Sequence, residues 1–245
     1  VRLKLTVAYD GSAFCGWQSQ QGGGSVQDRL EEAASTISGL KVAVHGAGRT
    51  DAGVHALGQC CHMDVPDGRL DPGRWIRALN GNLPSSLRVL SAIRKGPNFH
   101  ARFSCCGKIY RYRIATAPIL MPLEVGRAWH VPQQPDIESL RTVAKLFEGR
   151  HDFAAYSANR GAPPNSTVRD IHKIRVVQSG KTLTIEFHGE GFLYKMARML
   201  TSAILRGALG LEQPAFLSDC LRSGGPRWTN VAPAHGLSLV RVLYS

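Results

Sequence analysis

Arg49 and Asp51 stand two positions apart in the run GAGRTDAGVHA, residues 46–56, where glycine and alanine fill most other positions. A carboxylate with a guanidinium close by stays ionised, which suits nucleophilic attack or proton removal. The glycines permit tight backbone shapes and leave space for a second molecule to approach. The same run would also make an ordinary tight turn closed by an aspartate. Taken alone it does not separate the two.

The other reactive side chains narrow the choice by what they fail to form. His45, His55 and His62 flank the run, but their spacing fits no standard metal site. No GxGxxG opens a helix, and P-loop, HExxH and nucleophile-elbow patterns are absent. No metal and no cofactor is therefore expected. Glycosidase-like chemistry would need a second acid beside Asp51, and only Glu186 and Glu190 offer one, if the two halves of the chain met. Tyr110 and Tyr112 share a strand face with Lys108, while Arg111 and Arg113 point the other way. Such tyrosines serve either as a ladder on a half-buried sheet or as a stacking surface for an extruded base. On an ideal helix Phe192, Met196, Met199 and Ala203 make one stripe. Arg198 falls outside it, on the side of Tyr194, Thr201 and Leu205, either solvated or paired with a carboxylate from the other half.

These residues need elements to hold them. RLKLTVAYDG alternates as a strand and turns at Asp10-Gly11. Ser25 caps a helix with Val26, Leu30, Ala33 and Ile37 on one stripe. KVAVHG enters the quoted run as a strand and LGQCCHMDV leaves it as another. Asp71-Pro72 opens a second helix and LRVLSAI is a strand, completing a β-α-β-β-α-β set. The second half repeats the kind without repeating the sequence: KIYRYRIAT as a strand, DIESLRTVAKLFEG as a helix, and a hairpin turning at SGK. A long helix through FLYKMARMLTSAILRG, a short one at PAFLSDCLRS and a last strand GLSLVRVLY follow. SANRGAPPNSTVRD reads as a long loop of the kind that often carries function. The expected division is 1–104 and 105–245.

The bulk composition points to a partner. The 245 residues carry a net charge of +12, with 22 arginines among the 30 basic residues. Arginine presents a planar fork to phosphate and stacks on bases, so an anionic polymer, nucleic acid first, is the expected ligand. No block of like charge occurs, so the basic surface is folded and not a tail. Six cysteines in two adjacent pairs plus two singles, without CxxC, suit reduced thiols in the cytoplasm. No apolar run reaches membrane-spanning length.

GRTDAGVHA resembles the signature of the TruA family of tRNA pseudouridine synthases, and the resemblance extends over nearly the whole chain. YDGSAFCGWQSQ, SVQDRLEEA, LNGNLP, FHARFS, KIYRY, GFLYKMARM and APAHGLSLVRV follow in the family's order. The resemblance implies an α+β fold of two similar mixed α/β halves, whose antiparallel sheets join into one with a central active-site cleft. It implies isomerisation of uridine to pseudouridine in tRNA, at positions 38, 39 and 40 of the anticodon arm, with no cofactor. Asp51 matches the catalytic aspartate, Tyr110 the tyrosine that packs on the target base, and Arg198 the arginine that pairs with the aspartate. Arg49 matches a residue that helps hold the nucleotide out of the stack. The family is typically homodimeric. Glu190 stands where the family often has a small polar residue, and Ala197 where it has a branched one. The rival readings are an RNA-binding module without chemistry, and a metal-assisted hydrolase built on His45, His55 and His62.

Overall fold

The computed structural model describes residues 1–66, 70–158, 166–222 and 224–245. Of the long loop SANRGAPPNSTVRD, residues 159–165 lie outside the described residues, and its last three open a strand. In chain order the main elements are β1 (Arg2–Tyr9), α1 (Val26–Ser38), β2 (Val44–Gly46), β3 (His55–Asp64), α2 (Pro72–Asn82) and β4 (Leu87–Lys95). Then come β5 (Cys105–Ala115), β6 (Trp129–His130), α3 (Ile137–Lys145), β7 (Gly149–Asp152), β8 (Val168–Ser179) and β9 (Thr182–Gly189). The chain finishes with α4 (Met196–Ala208), α5 (Pro214–Asp219) and β10 (Leu237–Tyr244). The fold is a mixed α/β one in two compact units, Val1–Cys106 with Ser238–Ser245, and Gly107–Leu237.

In the first unit the strand order is β4-β1-β3-β10. β1 runs antiparallel to both neighbours, and its alternation buries Leu3, Leu5, Val7 and Tyr9 on one face. β3 has β1 along one edge; on the other, β2 pairs near its C-terminal end and β10, in parallel, at His55 and Ala56. α1 begins at a reciprocal capping box, Ser25 with Asp28, a device worth about 1 kcal/mol. Its buried stripe of Val26, Leu30, Ala33 and Ala34, with Trp75 and Leu79 of α2, supplies the other wall of this core.

In the second unit the order is β5-β9-β8-β7, all antiparallel, with the two-residue β6 beside β5. β8 and β9 form the expected hairpin, with Gly180 at φ 56° in its turn. Tyr112, Ile185, Phe187 and Ile174 face the core, where α4 is buried on nearly every side. The apolar stripe read from Phe192 to Ala203 is too narrow for such a helix. The helix also starts later than that reading, because Lys195 takes a left-handed φ of 60° and breaks the turn before Met196. Phe192 and Tyr194 therefore belong to a preceding loop. Among the described residues no helix is long and apolar enough to cross a membrane.

Candidate active site

The connection from β2 to β3 carries Arg49 and Asp51, and the chain beneath it holds its shape. The Ala47 N–H donates to the Cys60 carbonyl at 2.8 Å, the Trp17 N–H to the Thr50 carbonyl at 3.1 Å, and the Gln59 amide to the Gly48 carbonyl at 2.9 Å. The Val54 N–H returns to the Asp51 carbonyl at 3.1 Å and closes the turn, with Gly53 at φ 78°. Thr50 is buried and meets the Tyr9 hydroxyl at 2.8 Å. Its two neighbours lie further out, Arg49 exposed and Asp51 partly so. One residue in and two out is what a short loop needs to present a carboxylate without losing its anchor.

A second loop, 10–17, is laid against the first almost backbone to backbone. The Gly53 N–H donates to the Gly11 carbonyl at 3.3 Å. A Cβ on Gly11 would run into the Val54 carbonyl, and one on Gly16, at φ 96°, would stand 2.8 Å from the Thr50 carbonyl. Gly46 lies flat against the Trp17 indole in the same way. These contacts give a structural reason for YDG and CGW that spacing alone did not supply.

His55 braces this second loop. Its Nδ1 accepts from the Gly11 N–H at 3.1 Å, with the Asp10 carboxylate 3.2 Å from the same nitrogen. His45 and His62 instead stack on each other across β2 and β3, ring centroids 4.9 Å apart. The three histidines thus divide between two tasks. Among the described residues no group of three or more His, Cys, Asp or Glu is arranged to hold a metal ion.

Arg49 is positioned by residues that carry no role in the sequence reading. Its Nε donates to Gln18 Oε1 at 3.1 Å, Gln18 donates to Gln27 at 2.8 Å, and Gln27 to Glu31 at 2.9 Å. Glu31 also accepts the Val44 N–H at 2.9 Å, so the relay runs from Arg49 along α1 to the start of β2. The quoted YDGSAFCGWQSQ contains Gln18, and a polar residue between two glycine-rich turns was the available signal.

In the second unit Tyr110 and Tyr112 part company. Tyr110 is buried opposite Phe187 on β9, with the Phe192 ring edge-on at 4.9 Å. Tyr112 donates its hydroxyl to the Pro233 carbonyl at 2.8 Å, and burial pushes its phenol well above the usual range. Tyr112 is a structural member, sealed under Gly236. On the opposite face Arg111 holds Glu186 at 2.7 Å, and Arg113 holds Glu124 at 2.8 Å. That occupies Glu186, one of the two acids considered as a partner for Asp51.

Arg198 sits in the first turn of α4. Its Nε donates to the Ala232 carbonyl at 2.8 Å while the Ala232 N–H returns to the Arg198 carbonyl at 3.3 Å. The segment before β10 therefore fixes one edge of the guanidinium. Thr201 and Leu205, on the same side of the helix as Arg198, are buried. The side chain of Glu190 is exposed, and its N–H donates to the Asp170 carbonyl at 3.2 Å.

A family model described as tRNA pseudouridine synthase matches residues 5–104 and 143–245. Among curated relatives, the tRNA pseudouridine synthase A of Akkermansia muciniphila is 45% identical, over 99% of this chain and 95% of its own. That of Solidesulfovibrio magneticus is 43% identical (99% and 91%), and that of Syntrophotalea carbinolica 35% (99% and 96%). A solved chain titled as a Cbf5-Nop10-Gar1 complex aligns at a TM-score of 0.40 and 13% identity, over 97% of this chain and 48% of that one.

Proposed function

The chain belongs to the tRNA pseudouridine synthase family, an isomerase family, and we propose that it converts uridine to pseudouridine at positions 38, 39 and 40 of the tRNA anticodon arm through Asp51. The reaction breaks the bond from C1′ to N1, turns the uracil and joins C1′ to C5. The C5 hydrogen leaves as a proton and N1 gains one, so the nucleotide keeps its formula and no electron acceptor is required. Two routes begin at an ionised carboxylate: attack on C1′, or removal of a proton from the ribose.

The observation that carries this reading is the build of the Asp51 turn. Thr50 is locked inward on Tyr9 while the aspartate beside it stays accessible on a loop tied down at Gly48, Thr50 and Val54. A reacting group held in place before the substrate arrives converts binding into rate. Arg49, Tyr110 and Arg198 act as substrate-binding residues in the same reading. The aspartate loop lies in the half 1–104, and the tyrosine strand and arginine helix in 105–245. The net charge of +12 suits a polyanionic substrate. We place the enzyme in the cytoplasm as a homodimer.

The test is pseudouridine mapping on unmodified tRNA transcripts, incubated with wild type and Asp51→Asn without added cofactor or metal. Signal at 38 to 40 from wild type alone is the expected result. Equal signal from both proteins would remove Asp51 from the chemistry. Signal elsewhere in tRNA would overturn the positions, and none at all would leave a binding module.

A further inference from the structure

The segment after β4 folds back across the face of the first unit's sheet that is turned away from Leu3, Leu5 and Val7. Arg2 anchors it, donating to the Pro97 and Phe99 carbonyls, and the Ala101 N–H donates to His62 Nδ1 at 3.2 Å. The Tyr244 hydroxyl donates to the Ala101 carbonyl at 2.7 Å. This fastening displays a row of rings. His100 lies edge-on to His62 at 4.6 Å, and Phe103 covers His100 at 4.4 Å with a 34° tilt. His100 is held for that purpose by the Arg102 and Phe103 N–H groups, both donating to its Nδ1. Phe103 ends the row with 77% of its surface exposed, its ring held by His100 on one side and open on the other.

Cations are threaded between these rings. The Arg102 guanidinium lies 5.7 Å from the Phe103 ring, Lys4 Nζ lies 4.0 Å from the Tyr244 ring, and Lys95 Nζ lies 5.8 Å from that of Phe99. The acid among them, Asp64, is consumed by Arg2 at 2.6 Å. Exposed rings interleaved with cations are what single-stranded nucleic acid stacks on, ring to base and cation to phosphate. Arg2, Lys4, Lys95 and Arg102 make the surround positive, with Ile93 opposite Lys4 its exposed apolar member; a protein interface core is depleted in such charges.

The surface is separate from the Asp51 loop. Lys4, beside Phe99, and Tyr9, bonded to Thr50, are five residues apart on β1, about 16 Å along an extended strand. One nucleotide does not span that length. We propose that Phe103, with Arg102, Lys4 and Lys95 around it, is a second tRNA contact, on which an unpaired base other than the target uridine stacks. The proposal rests on tRNA being the substrate, and it concerns affinity and choice of substrate, not the chemical step.

Phe103→Ala, Phe103→Trp and Arg102→Gln test it, through steady-state kinetics on a tRNA transcript and through filter binding over a range of salt in an Asp51→Asn background. Phe103→Ala is expected to raise KM about tenfold with kcat unchanged, since stacking on an aromatic ring is worth roughly 1–3 kcal/mol per base, and Phe103→Trp to restore it. Phe103→Ala should leave the salt slope of binding unchanged, whereas Arg102→Gln lowers it by about one contact. An unchanged KM, or a fall in kcat instead, would overturn the proposal. So would a shift in sedimentation for Phe103→Ala, which would make the surface a contact between proteins. If wild type leaves uridine unmodified while Phe103→Ala still weakens tRNA binding, the catalytic reading fails and this one stands.

Discussion

The hydroxyls of Tyr9 and Thr50 meet at 2.8 Å in a buried bond between the end of β1 and the residue preceding Asp51. Burial pushes the Tyr9 phenol far above its usual range, so the group stays neutral throughout the working range of pH. Removing either hydroxyl takes a buried hydrogen bond from the other, although Tyr9 also has Gln59 beside it. Tyr9→Phe and Thr50→Val should each cost about 1–3 kcal/mol, and the double variant less than their sum. Urea unfolding of the three proteins measures this. Pseudouridine formation should fall in kcat before it falls in KM, because the loop that aims Asp51 loses its anchor while Tyr110 and Arg198 keep theirs.

Gly16 offers a sharper test of how the two loops lie together. Alanine there combines a left-handed φ of 96° with a Cβ 2.8 Å from the Thr50 carbonyl. Strain of about 1–3 kcal/mol is expected, relieved by pushing the aspartate turn outward. We expect at least a tenfold loss of activity with an intact circular-dichroism spectrum. Activity within twofold of wild type would show that the turn keeps its place without the close approach.

His62 predicts how stability depends on pH. Burial, then the neighbouring His100, His45 and Arg2, depress its pKa to about 4, and its Nδ1 must be unprotonated to accept the Ala101 N–H. Asp64, the acid on the same face, pulls the other way and is the smallest influence. Above the ordinary histidine pKa of about 6.5 both folded and unfolded chains are neutral there, and the stability is fully present. Between that value and pH 4 the unfolded chain takes up a proton that the folded one refuses, so stability falls with pH and levels off below 4. Thermal melts from pH 8 to 4 should show this fall, and His62→Gln should flatten it.

Arg198→Lys keeps a positive charge but loses the planar fork that is tethered to Ala232 and aimed by it. A charge-assisted contact is worth about 1.5–3 kcal/mol, so kcat/KM should drop by roughly 10- to 150-fold. A lysine variant with wild-type kinetics would reduce Arg198 to a helix-start clamp.

Much of this is written locally in the chain. Alternation made β1 readable because its two sides meet different environments, and Ser25 announced α1. The start of α4 was not readable, since Lys195 takes a backbone shape that ordinary propensity disfavours. Nor were β6 and β7, of two and four residues, too short to show a period. At the candidate site the signature run located Asp51 and Arg49, because glycine density is a sequence property. The inward turn of Thr50, the glutamines behind Arg49 and the allocation of Glu186 to Arg111 are not sequence properties. They depend on which distant residues arrive beside them, and no spacing along one chain records that.

The placement of β10 bears on the order in which the protein can be made. Its residues Ser238 and Leu239 pair with His55 and Ala56, immediately after the aspartate loop, and the Val240 carbonyl presses on Gly58. Yet all of Gly107–Leu237 is translated in between. A ribosome building this chain from its first residue therefore holds the aspartate loop ready long before the strand that borders it emerges. The first unit begun is the last one finished, and a chain cut short near its end loses a wall of the unit that carries Asp51.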